Sequence, residues 1–202
     1  MGAAPSGQIA VEMEYAAEDE PVDYLLAEGG GPDEPGMPVD TIEVSGARLM
    51  KKPVATRLRD RPWAYVLPRD AEDAVALLRR HGITVERLIE PVTLQVRAYT
   101  VAGVEHERQY NHAAVTRIQV GDVVERSMEL PTGSYVVPTA QNLGRLVAHM
   151  LEVETEDNVV YWNRMDAWVP LPSPDANAEA PLSPILKIMT PVTLKSMIVG
   201  GD

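Results

Sequence analysis

Apolar and polar residues alternate along Ile9-Ala10-Val11-Glu12-Met13-Glu14-Tyr15, the period of a strand with one buried face. Val22-Asp23-Tyr24-Leu25-Leu26 and Thr41-Ile42-Glu43-Val44 are two further short strands. Between them Gly29 to Gly36 holds glycines and prolines that favour a loop, so residues 29–38 are expected to be loosely packed. Residues 1–7 are small and polar and predict an unstructured end. Arg61-Pro62-Trp63-Ala64-Tyr65-Val66-Leu67-Pro68 reads as a buried strand bounded by prolines, and Ile83 to Leu88 as another. From Val92 to Val137 the pattern is strand after strand. Thr93–Val101, His112–Val120 and Val123–Leu130 are separated by turns expected at Gly103 and Gly121-Asp122, and the Tyr135 strand follows Pro131-Thr132-Gly133. Residues 170–184, with five prolines, predict a surface loop, and 185–188 and 192–194 predict closing strands.

Two segments change to helical spacing. Ala71, Ala74, Val75 and Leu78 form one apolar stripe, with Asp70 placed to cap its start and His81-Gly82 to stop it. His81 at that end suits the helix dipole and the last carbonyls. Leu143, Leu146, Val147, Met150 and Leu151 recur at i, i+3, i+4, i+7 and i+8, after a Thr139 that could cap. The spacing predicts helices near 70–81 and 139–152. The expected fold class is therefore α+β and β-rich: mainly an antiparallel sheet or sandwich, with one strand–helix–strand unit (residues 61–88) and a second amphipathic helix. The expected division is an acidic segment, 1–38, with short strands and a Gly/Pro loop, and a single β-rich domain, 39–202.

Charge sharpens that division. The net charge is −12 over 202 residues; the first 47 carry 11 acids and no Lys or Arg, while the remainder carries 19 acids against 18 bases. Without a basic face, nucleic acid is excluded as a partner. No apolar run reaches the ~20 residues of a membrane span, and no signal peptide is visible. Cysteine is absent, so disulfides and thiolate metal sites are excluded. Phe is absent too, leaving Leu, Val, Met, Tyr and Trp to fill the core.

Several landmarks share an order with a known family. They are Arg61-Pro62-Trp63-Ala64-Tyr65-Val66-Leu67-Pro68, Leu77-Leu78-Arg79-Arg80-His81-Gly82-Ile83, Gly133-Ser134-Tyr135-Val136-Val137 leading to Gln141, Leu151-Glu152 through Asp157 to Trp162-Asn163, and Ser183-Pro184-Ile185-Leu186-Lys187-Ile188. Together they resemble the region that follows the catalytic domain in bacterial zinc carboxypeptidases of the metallocarboxypeptidase family. The resemblance covers roughly residues 40–195. It departs from the family's pattern at Val153, where Pro is usual, and at Arg164-Met165, where aromatics are usual. It implies a non-catalytic accessory domain that packs on or supports a peptidase domain, in a secreted or cell-envelope setting. It also places zinc in the family's catalytic domain, so no cofactor is expected in this chain and no peptidase activity from the chain alone.

The remaining residues offer weaker chemistry. His149-Met150-Leu151-Glu152 is a His-x-x-Glu pair, yet a catalytic zinc needs three protein ligands and no His follows. On a helical wheel both side chains point away from the apolar stripe, toward solvent. His106 and His112, with Glu105 and Glu107, could share a strand face, as a metal pair oriented by a carboxylate would. Glu152, Glu154, Glu156 and Asp157 form an acidic run read as a solvated loop, without the glycine turn of a calcium loop. No Gly-x-Ser-x-Gly and no phosphate-binding loop occurs. Trp63, Tyr161, Trp162 and Trp168 are the candidate binding residues if they form an exposed platform; the alternative is a role in the core. Two other functions thus stay open: a free-standing peptide- or glycan-binding module, and a metallohydrolase built on His106, His112, His149 and Glu152.

Overall fold

The computed structural model describes residues 7–27, 40–108, 114–175 and 177–200. The loop expected at 29–38, the domain boundary expected at 38/39 and His112 all lie outside the described residues. The chain divides into two compact units, one of residues up to 11 and from 58 onward, the other of residues 12–57.

In chain order the elements are β1 (Gln8–Ala17), β2 (Val22–Ala27), β3 (Thr41–Ala47), β4 (Met50–Asp60), β5 (Ala64–Leu67), α1 (Glu72–Arg80), β6 (Glu86–Leu88), β7 (Val92–Glu107), β8 (Val115–Leu130), β9 (Tyr135–Pro138), α2 (Gly144–Leu151), β10 (Leu186–Ile188) and β11 (Ser196–Ile198). The protein is β-rich, with two α-helices among the described residues. Strands β1 and β4 pair, β2 and β3 pair, and the other seven form one sheet in the order β11-β6-β9-β5-β10-β7-β8. Every pairing in that sheet is antiparallel.

The strand–helix–strand unit is present, but β5 and β6 are not neighbours. Both pair with β9, which lies between them. Because side chains alternate across a strand, this central sheet packs on both faces. Tyr65, Leu67, Tyr135 and Val137 point toward α1 and α2 and join Leu78, Val147 and Leu151 in the larger core. Ala64, Val66 and Val136 point the other way, to Leu88, Leu130 and Ile188, with Trp63, Leu186 and Leu194 against them.

Several expectations need correction. Gly103 and Gly121 do not turn the chain: β7 and β8 run through them as one long hairpin, whose register slips between Tyr99 and Gly103. Glycine there marks an irregularity in the ladder, where a Cβ on Gly103 would meet the Gln119 side chain. Asp70 does not cap α1; the cap position is Ala71, and the Asp70 carboxylate meets the Arg69 guanidinium instead. Thr139 does not cap α2, which begins only at Gly144. Its hydroxyl donates to the Pro62 carbonyl at 2.6 Å, tying the end of β9 to the start of β5. Gly144 is required by close approach, because a Cβ would collide with the Thr139 carbonyl and the Arg61 guanidinium. The closing strand lies at 196–198 rather than 192–194. Strand β4 carries no alternating apolar pattern and was not foreseen. His81 does end α1: its N–H reaches the Leu77 and Leu78 carbonyls, and Gly82 follows at φ +79°.

Candidate functional site

Two clusters of chemistry-bearing side chains stand out, one sealed in the core and one open. The sealed cluster follows from strand register. Lys187 of β10 lies opposite Tyr65 of β5 on one side and Arg97 of β7 on the other. Tyr99, two residues beyond Arg97, shares that face. Glu152 enters from above, at the residue that ends α2.

Glu152 is fully buried, and Lys187 nearly so. The carboxylate Oε1 accepts from the Tyr65 hydroxyl at 2.6 Å, and Oε2 from the Lys187 ammonium at 2.6 Å and the Tyr99 hydroxyl at 3.3 Å. Lys187 also donates to the Tyr99 oxygen at 2.8 Å and lies 4.1 Å from the centre of its ring. Beside it, Arg59 grips Glu154 with two bonds of 2.6 and 2.7 Å and faces the Tyr99 ring at 5.7 Å. Burial, and then the Glu152 charge, raises the pKa of both tyrosines. Burial lowers that of Lys187, with Glu152 opposing. A buried charge must be paired and hydrogen-bonded to persist, and here every carboxylate oxygen has a donor.

Glu152 is thus no solvent-facing residue, and neither is Glu154, whose side chain is 4% exposed. The solvated-loop reading of the acidic run fails for these two. The wheel misplaced Glu152 because the helix has already ended: its backbone is extended, with ψ 119°, so the 100° step no longer applies. His149 goes elsewhere, half-exposed with Nε2 3.9 Å from Asp157. The His-x-x-Glu pair is therefore divided between the core and the surface. His106 Nδ1 meets the Thr116 hydroxyl at 3.2 Å, Glu107 pairs with Arg117 at 2.8 Å, and Glu105 accepts from the Gln119 amide. Among the described residues, no group of three or more His, Asp or Glu could hold a metal ion.

The open cluster lies where α1, α2 and the segment after α2 meet. It encloses about 420 Å³ over an apolar bed of Leu77, Leu146 and Met150. Trp162 forms one wall, and His81, His149, Asp157 and Arg164 bring charge and polarity to the lining. The segment is held by buried Asn158, whose oxygen accepts the N–H groups of Val160 and Tyr161, both at 2.9 Å. Thr155 locks it to α2 by donating to the His149 and Glu152 carbonyls, at 2.5 and 2.8 Å. Of the four candidate aromatics, Tyr161 and Trp162 meet edge to face at 5.1 Å. Trp168 instead lines a separate depression of about 340 Å³ with Pro68, Pro131 and Leu186, and Trp63 packs on the Val66–Leu88 cluster. Sequence reasoning missed Lys187, Tyr99, Arg59 and Arg164. The one available signal was a lysine set between Leu186 and Ile188 in a short apolar strand, where its charge demands a buried acid.

No protein-family profile matches the chain, and no solved structure matches it. Curated relatives do. The chain is 35% identical over 103 residues to probable carboxypeptidase 2 of Arthroderma benhamiae, which covers 51% of this chain and 20% of that protein. It is 34% identical over 104 residues to carboxypeptidase 2 of Trichophyton tonsurans, covering 52% and 19%. It is 35% identical over 107 residues to carboxypeptidase 2 of Trichophyton rubrum, covering 53% and 20%. These relatives are fungal, where the sequence resemblance pointed to bacterial enzymes. The matched part amounts to about a fifth of the length of these relatives, and half of this chain is similar to part of a carboxypeptidase.

Proposed function

We propose that this chain is a non-catalytic accessory module of a zinc carboxypeptidase, packing on the peptidase domain and supporting it. The observation that carries the reading is the similarity itself: about half of the chain corresponds to about a fifth of three fungal carboxypeptidases. The family landmarks also fall on the framework of the fold. Tyr65 and Glu152, from two of them, meet at 2.6 Å in the sealed cluster, and Lys187, from a third, closes it. The landmarks thus maintain a rigid support. Tyr65, Glu152 and Lys187 are buried in the core, which suits a supporting role. Zinc and the hydrolytic step belong to the partner domain in this reading.

The test is co-expression of the chain with the remaining part of Trichophyton rubrum carboxypeptidase 2. A stable complex on gel filtration, with a higher Tm for the peptidase part than it has alone, is the expected result. The isolated chain should release no C-terminal residue from a test peptide. Chelator-sensitive release by the chain alone, or the lack of any complex, would overturn the proposal.

A further inference from the structure

The face of the large sheet turned away from the helices ends in a depression of about 340 Å³. Its apolar part comes from the second core cluster: Val66, Leu130 and Leu186 line it, and the rings of Pro68 and Pro184 stiffen its sides. Three polar groups of the lining are unspent. Ser134 is only 2% exposed, yet among the described residues nothing hydrogen-bonds its hydroxyl. The Trp168 indole N–H has no partner there either, and the Glu129 carboxylate has neither a hydrogen bond nor an ion pair. Asp70, by contrast, is engaged by Arg69 at 3.4 Å. A buried hydroxyl without a protein partner has given up bonds it would make in water, so a molecule that restores them is favoured.

The indole is set in place before anything binds. Trp168 closes a single 3₁₀ turn, Asp166–Trp168, and its backbone N–H donates to the Met165 carbonyl at 2.8 Å. Met165 is buried, and Asp166 accepts from the Asn163 amide at 2.9 Å and the Thr116 hydroxyl at 3.3 Å. Trp168 is still 37% exposed, so a ligand can reach it. An aromatic wall held in this way loses little entropy on binding. The free groups then select the ligand. The indole N–H needs an acceptor, Glu129 needs a donor, and Ser134 takes either. An anion is repelled by Glu129 and Asp70. A cation has no lone pair for the indole N–H, and a hydrocarbon serves none of the three. A run of prolines offers acceptors alone. A sugar hydroxyl both donates and accepts, and the C–H face of a sugar ring suits the negative face of an indole. Other peptides carry both kinds of group, but on a flexible chain, whereas a sugar sets them around one rigid ring that also bears the apolar face. The volume is within the range of small-molecule sites.

We infer that the pocket of Trp168, Ser134 and Glu129 binds a neutral sugar ring. The ring lies with its C–H face on the indole, and its hydroxyls bond the Ser134 hydroxyl, the Glu129 carboxylate and the indole N–H. The same ring is offered by a free oligosaccharide and by the end of a polysaccharide chain. None of this depends on whether a peptidase domain binds the protein.

The probes are four neutral trisaccharides (cellotriose, maltotriose, mannotriose and triacetylchitotriose), with a capped hexapeptide of prolines and a capped hexapeptide of alanine and phenylalanine beside them. Each is titrated into the full chain by calorimetry and followed by saturation-transfer NMR. At least one trisaccharide should bind with a Kd of about 1 mM or tighter, with saturation reaching its ring C–H protons. Trp168→Ala should abolish that binding. Glu129→Gln, an exposed change outside both core clusters, should weaken it about tenfold. The Tm of each variant separates a lost site from a lost fold, and where W168A fails to fold, E129Q decides. Retention of the chain on the matching insoluble polysaccharide names polymer ends as the source; binding of the soluble trisaccharide alone names the free oligosaccharide. Binding of a peptide in place of every sugar, sugar binding unchanged in folded W168A or in E129Q, or no saturable binding by any trisaccharide would overturn the inference.

Discussion

The β2–β3 ribbon and the β5–β9 pair are both antiparallel, and both use Val, Leu and Tyr. In β5 and β9 every residue but Pro138 is buried, whereas along β2 Leu25 is 66% and Leu26 is 47% exposed. The ladder is similar; what differs is the company. β5 has a strand on each side and a cluster on each face, while among the described residues β2 pairs with β3 alone. Apolar content writes a strand into the sequence, but neighbours decide whether that strand contributes a core.

The sharpest way to break this contrast is at the sealed cluster. Lys187→Met should destabilise the chain by about 3–5 kcal/mol, because Glu152 then sits buried without its cation. Adding Glu152→Leu should recover much of that loss, since the removed groups act as a unit. Urea unfolding reads both, and a double variant as unstable as the sum of the singles would contradict the pairing. Next is core packing. Leu78→Ala under the sheet should cost about 2–5 kcal/mol, and Leu25→Ala in the ribbon within about 0.5 kcal/mol. Equal losses in thermal unfolding would erase the comparison.

A smaller effect is the response to alkali. Tyr65 and Tyr99 titrate above their ordinary value of 10.0 in the folded chain. Above that value the unfolded chain loses their protons and the folded chain keeps them. Stability should therefore fall as pH rises past about 10, by up to about 1.4 kcal/mol per pH unit for each tyrosine. Lys187 acts in the opposite sense, because its folded value lies below 10.5: approaching that pH from below, the unfolded chain holds more protons and stability rises. The tyrosines therefore dominate only above that value, and Tyr65→Phe should flatten the alkaline slope. A slope unchanged in Y65F would argue against the buried hydroxyl. The smallest effect belongs to the ribbon region. Lys52 and Asp19 pair at 3.3 Å with both side chains mostly in solvent, so Lys52→Ala should cost about 0.2–1 kcal/mol and respond to salt.

Much of the fold was legible. β5, α1, β9, α2 and β10 follow from apolar spacing, because each is long enough or buried enough for its period to show. Strand β4 was not legible: Met50 to Asp60 is mostly exposed and carries Lys51, Lys52, Arg57 and Arg59, so backbone pairing holds it and no burial pattern records it. The long β7–β8 hairpin was cut too early, because Gly103 and Gly121 signal a turn and a ladder irregularity alike. Less of the site could be read. Tyr65, Tyr99, Glu152 and Lys187 are far apart in sequence and meet only through the register of three strands and the end of a helix. Arg164 was noted only as a departure from the family's pattern, and its place in the open pocket depends on how the segment after α2 lies against the two helices.

The strand order has a consequence for how the chain assembles. β5, α1 and β6 are contiguous in sequence, yet the slot between β5 and β6 is filled by residues 135–138, and the slot between β5 and β7 by residues 186–188. A nascent chain that has reached residue 130 holds the β7–β8 pair of this sheet, while β5 and β6 still lack their partner strands and leave unpaired edges. Closing those gaps requires contacts between distant parts of the sequence, which slows folding and leaves sticky edges exposed meanwhile. Strands β9 and β10 thus act as the keystones of the sheet, and chaperone demand should be greatest just before they arrive.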